Sequence, residues 1–159
     1  MGESTNRNAG RAAELIDELR LQHRDLARAQ ARCAALMMDF AETRSACDRQ
    51  LIADRGAEGI QARYTQVRYT PGEFAGIEIS MAIRESKFSA QKTMAIARRL
   101  RAETPDAWDA WRAGDINLDK AERISKTPIR LVRDNSKALL NTVVVDVAVC
   151  KPVNCWVAG

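Results

Sequence analysis

The sequence predicts an all-α protein, built as a long N-terminal helix followed by a bundle of four to five short helices. Three observations carry that expectation. Charged residues make up 29% of the 159 and aromatics 5%, with only 8 Gly and 4 Pro, a balance that favours helices over strands. From Arg11 onward, apolar and small residues recur at alternating spacings of four and three, with no Gly or Pro before Gly56. Beyond Gly72, cap and breaker signals at Ser89, Thr104-Pro105, Gly114, Asn117 and Thr127-Pro128 divide the chain into short amphipathic pieces. The length suits one compact unit plus an arm.

Residues 1–10, MGESTNRNAG, are small and polar and are expected to be disordered. Residues 11–55 form the arm. Leu15, Leu19, Gln22, Leu26, Ala29, Cys33, Leu36, Phe40, Thr43 and Cys47 follow a heptad seam with two polar and two small positions. As one helix from Arg11 to Asp54 it would be about 65 Å long, longer than a small domain is wide. It therefore needs a partner, either a second copy or helices of its own chain folded back along it. Residues 56–72 read as a connector opened by Gly56 and Gly59, in which Tyr64 and Tyr69 interleave with Arg63 and Arg68.

Residues 73–150 form the helical domain. Its first helix is expected over Glu73 to Glu85, with Phe74, Ile77 and Met81 on one apolar stripe widened by Ile79, Ala82 and Ile83. Ser86 to Ser89 then makes a four-residue turn, with Ser89 capping a helix from Ala90 to about Glu103. On that helix Thr93, Ile96, Ala97 and Leu100 cluster on one side, while Gln91, Ala95 and Arg98 face away, flanked by Lys92 and Arg99. Helix, turn and helix with a basic outer face is the outline of a helix-turn-helix pair.

Thr104-Pro105 starts the next helix, where Pro is tolerated in the first turn, and Gly114 ends it. Trp108 and Trp111, three residues apart, read as core. Asn117 caps a helix carrying Leu118, Ala121 and Ile124, which stops at Thr127-Pro128. Ile129 to Leu140 continues in a helical register, and the valine-rich run from Val143 to Cys150 reads as buried helix. Residues 151–159 are a tail that looks truncated.

The net charge of +4 is modest, but its distribution is uneven. Arg84 to Arg101 carries six basic residues and one acidic, whereas Ala102 to Asp119 carries one basic and five acidic. Arg84, Lys87, Gln91, Lys92, Arg98 and Arg99 are therefore the candidate nucleic-acid-binding residues, since Lys and Arg neutralise phosphates and Gln and Arg can read base edges.

Other chemistry finds little support. Cys33, Cys47, Cys150 and Cys155 include no C-x-x-C pair, so no metal centre is expected and a reduced, cytoplasmic setting is. The single histidine, His23, leaves no nucleophile and base pair, and no phosphate-loop or dinucleotide motif occurs. Asp115 and Asp119 straddle a helix start, where acids stabilise the helix dipole. No apolar run reaches the length of a membrane span. No cofactor is expected.

From Phe74 to Lys151 the order and spacing of FAGIEISMAIRES, SAQKTMAIARRL, DAWRAGDINLDKAERI and VVVDVAVCKP resemble the actinobacterial 13E12-repeat family. Its helical domain of unknown function, number 222, often precedes an HNH endonuclease domain. The resemblance implies a helical fold associated with nucleic acid. It carries over no catalytic residue, because an HNH domain would lie beyond Gly159. The expected function is thus a non-catalytic helical domain that binds DNA. The competing expectations are an assembly module acting through residues 11–55, with a second copy or another helix as partner, and a truncated nuclease remnant without activity.

Overall fold

The computed structural model describes residues 2–57, 70–127 and Val149, and among these every regular element is a helix. α1 spans Gly2–Ala57, α2 Ala75–Ile83, α3 Lys87–Glu103, α4 Pro105–Ala113 and α5 Leu118–Lys126. The all-α architecture with one long N-terminal helix is the one expected. Residues 2–10 continue α1 instead of forming the expected disordered tail. Propagating an existing helix adds one hydrogen bond per residue fixed, and an interior glycine such as Gly10 costs only about 1 kcal/mol. Gly56 lies inside α1, whereas Gly59 and the tyrosine–arginine stretch from Arg63 to Tyr69 lie outside the described residues, as do the helices expected over 129–140 and 143–150, Val149 apart.

The chain divides into two compact units, Cys33–Arg98 and the combination of Met1–Arg32 with Arg99–Gly159. α1 and α3 each contribute to both. The side chains that α1 buries are Ala27 and Ala31 in the first unit and Ala34, Met37, Met38, Ala41 and Asp48 in the second. Ala27, Ala31, Ala34, Met38, Ala41, Ser45 and Asp48 keep spacings of four and three, so a heptad stripe does face the short helices. It is not the expected one. Leu15, Leu19, Leu26, Cys33, Leu36, Phe40 and Cys47 are all exposed, Leu19 by 61% and Leu36 by 67%. The stripe that packs inside the chain is the alanine-rich one, whose small side chains let a neighbouring element approach the backbone.

In the unit of residues 33–98, Met37 and Ala41 of α1 form a core with Ala75 and Ile79 of α2 and Ala90 and Met94 of α3. Here too small residues face inward. α2 buries Ala75, Gly76, Ile79 and Ser80, while Phe74, Ile77 and Met81, the expected stripe, are exposed, Met81 by 75%. α2 is also shorter than expected. A turn at Pro71 to Phe74 precedes it, fixed by the buried Asp48 carboxylate, whose Oδ2 accepts from the Gly72 amide at 2.8 Å. Arg44 reaches Asp48 Oδ1 at 3.3 Å and Glu78 Oε1 at 3.1 Å, joining α1 to α2.

In the other unit the buried set includes Ala27, Ala31, Leu100, Ala107, Trp108, Trp111, Ile116, Ala121 and Ile124. Trp108 and Trp111 meet edge to face, with centroids 5.7 Å apart and planes at 80°, the arrangement that aromatic quadrupoles favour. Trp111 is fully buried and its indole N–H lacks an acceptor, so apolar packing outweighs a desolvation cost of about 1–3 kcal/mol. Pro105 begins α4 after Thr104, which occupies the cap position without a side-chain cap bond. Asn117 caps α5 by accepting from the Lys120 amide at 3.0 Å.

The α4–α5 connection is held to α1 by Arg28 Nε, which donates to the Ala113 carbonyl at 2.8 Å, and by an Arg24–Asp115 ion pair at 2.6 Å. Between them sits Gly114 at φ 83°, where an added Cβ would lie 2.6 Å from the Arg24 carbonyl oxygen. Both the left-handed backbone and that contact require glycine. Gly114→Ala is therefore expected to lower stability by about 1–3 kcal/mol, read as a lower urea midpoint with an unchanged slope.

Candidate nucleic-acid interface

The interface begins at the turn between α2 and α3. Its residues are Arg84, Glu85 and Ser86, one fewer than expected, and α3 starts at Lys87 instead of Ala90. Ser86 is the capping residue, its Oγ accepting from the Ser89 amide at 3.1 Å. Ser89 itself donates from Oγ to Glu85 Oε2 at 2.7 Å. The expected cap was one helical turn too late because both serines satisfy the same local pattern and only the backbone path separates them.

Arg84 closes α2 in the left-handed region, at φ 56° and ψ 35°, and is the one non-glycine residue with positive φ among the described residues. Its amide and that of Glu85 both donate to the Ser80 carbonyl. Such a conformation costs a side-chain-bearing residue about 1–2 kcal/mol. The turn thus does without the glycine that this motif often carries, and places a guanidinium at the position.

α3 buries Ala90, Met94, Ile96, Ala97 and Leu100, with Thr93 half-buried. The expected apolar side of this helix is correct. Within residues 33–98, Lys87, Gln91, Lys92 and Arg98 are exposed on the remaining face, and Arg84 is exposed on the preceding turn. The Gln91 amide lies against α2, where a Cβ on Gly76 would be 3.3 Å from its Nε2. Arg98 borders a recess of about 430 Å³ with Ser45, Arg49 and Gly72.

Arg99 has a different role. Its Nη1 donates to the Ser125 carbonyl at 2.9 Å, and its Nε lies 4.0 Å from Glu103. It secures the last turn of α5, where the C-terminal carbonyls of a helix need donors. Charge and helical angle, which make Arg99 a candidate, do not reveal a carbonyl brought in from residue 125. Sequence reasoning also missed Phe88, which is 76% exposed in the first turn of α3. It was read as a turn residue, although its position directly after Lys87 was the available signal.

Among the described residues, no three His, Cys, Asp or Glu side chains gather in a way that could hold a metal ion. His23 borders a recess with Arg20, Arg24 and Lys120, and Asp115 is engaged by Arg24. No helix of the described residues is long and apolar enough to cross a membrane. Replacing Arg99 by Ala should loosen the α5 C-terminus by about 1 kcal/mol, since its bond to Ser125 is charge-assisted but half-exposed. Amide exchange in the last turn of α5 is then expected to rise about fivefold, while amides of α2 keep their rates.

Family models, curated proteins and solved structures compared with this chain yield no match.

Proposed function

We propose that this chain is a non-catalytic helical domain that binds nucleic acid through the α2–α3 turn and the outer face of α3, similar to the helical part that precedes the nuclease in the 13E12-repeat family. The observation that carries the reading is the set Arg84, Lys87, Gln91, Lys92 and Arg98, all exposed on one turn and one helix face. Four of the five are cationic. Phe88 adds an exposed ring beside them, and ring faces stack on bases without regard to sequence. The start of α3 supplies a partial positive charge at the same end.

Charge neutralisation makes the proposal measurable. If Arg84, Lys87, Lys92 and Arg98 each neutralise one phosphate of duplex DNA, log K against log salt should fall with a slope of about −3.6, from roughly −0.9 per phosphate. Lys87→Glu with Lys92→Glu should bring the slope to about −1.8 or shallower, whereas Arg99→Ala should leave it unchanged. Arg84→Gly is the most informative single change, because it removes a contact while relieving the left-handed backbone. It should weaken DNA retention without lowering the melting temperature. A slope near zero for the parent chain would overturn the proposal.

A further inference from the structure

The Leu stripe of α1 is turned away from the short helices of both units. In the first unit no described side chain from Gly10 to Leu26 is buried, and Leu15, Leu19 and Leu26 stand exposed. A helix without tertiary contacts is marginal in water even when its sequence favours it. Those residues therefore need a surface from elsewhere. In the second unit the same heptad positions, Cys33, Leu36 and Phe40, are exposed as well. There α1 and α2 leave an apolar groove of about 210 Å³, with Leu36 and Phe40 on one wall and Ile79, Ala82 and Ile83 on the other.

We infer that this stripe is the seam of a parallel, in-register coiled coil between two copies of the chain. Residues 15–40 cover about four heptads, a run long enough to specify such a pair. The flanking charges select the partner and its direction. One flank of the seam holds Glu18, Asp25, Arg32 and Asp39; the other holds His23, Gln30, Met37 and Arg44. In a parallel pair each residue of the first flank meets the partner's residue five positions later. Glu18 then faces His23 and Asp25 faces Gln30, with no like charges opposed, while Met37 and Arg44 are held against the short helices of their own chain and leave Arg32 and Asp39 without an opposed like charge.

An antiparallel pair would instead set the first flank against itself. Every antiparallel register that overlaps three or more of these heptads opposes at least one acid to another. The polar seam residue Gln22 fixes the register further. In register it meets its own copy and can exchange amide hydrogen bonds, whereas a shift by one heptad sets one copy against Leu15 and the other against Ala29, where neither finds an amide partner. Self-matching of the stripe is what a twofold dimer requires.

The test uses the full chain. Sedimentation should give twice the chain mass, and Leu19→Glu with Leu26→Glu should halve it without changing helix content in the short helices, because both leucines are exposed. A variant carrying Cys47→Ser, Cys150→Ser and Cys155→Ser retains Cys33 as the sole thiol. Under mild oxidation by a copper–phenanthroline complex, two Cys33 thiolates lose two electrons to the Cu(II) complex and join as a disulfide, and a covalent dimer should form. Parallel register brings the two Cys33 side chains together in one seam layer; antiparallel pairing moves them apart. A monomeric parent chain, a dimer that survives the leucine substitutions, or a dimer that gives no Cys33 cross-link would each overturn the inference.

Discussion

The burial of small side chains along one stripe of α1 is the constraint on which the rest of this structure depends. Ala27, Ala31, Ala34 and Ala41 present little more than a methyl group each, so what packs on them must come near the backbone. Ala75 answers with an equally small surface on α2, Gly76 lies against Gln91 of α3, and Gly72 and Gly114 stand where the connections touch α1. Such contacts bury less apolar area per residue than leucine would. The larger side chains Met37, Met38, Met94 and Leu100 fill the remaining space, and methionine suits irregular gaps of this kind. Charge-assisted bonds from Arg24, Arg28 and Arg44 then tie the connections and α2 to the same helix.

A consequence of that constraint is an amphipathic helix with two differently built stripes. The alanine stripe serves the inside of the chain. The leucine stripe is left over for the outside, and its flanking charges are graded enough to discriminate between directions of approach. The proposed nucleic-acid face uses neither, since it lies on α3 and the turn before it. The two surfaces can therefore act in the same molecule without competing for residues.

Much of the fold was legible in the sequence because it rests on local chemistry. Pro105 at the start of α4, Gly114 at its end and Asn117 capping α5 were read correctly from residue type and position alone. So was the buried side of α3, where Ile96, Ala97 and Leu100 recur at helical spacing. The errors share one cause. On α1 and α2, leucine, phenylalanine and methionine were ranked above alanine, glycine and serine as core residues, yet the smaller set is the one buried. The exposure of Arg84, Lys87, Gln91, Lys92 and Arg98 was legible from the basic block and, on α3, from helical angle. The bond of Arg99 to a carbonyl 26 residues away and the exposure of Phe88 were not, because both depend on the folded path of the backbone.

The tryptophan pair gives the chain a built-in optical partition. Trp108 and Trp111 meet edge to face in one compact unit, and the stretch from Cys33 to Arg98 contains no tryptophan at all. In a Trp156→Phe variant, emission excited at the indole band therefore reports on the unit that holds α4 and α5. Backbone ellipticity sums over both. Noncoincident curves from the two signals during unfolding would resolve the units as separate cooperative blocks, with no added label and no change to either surface.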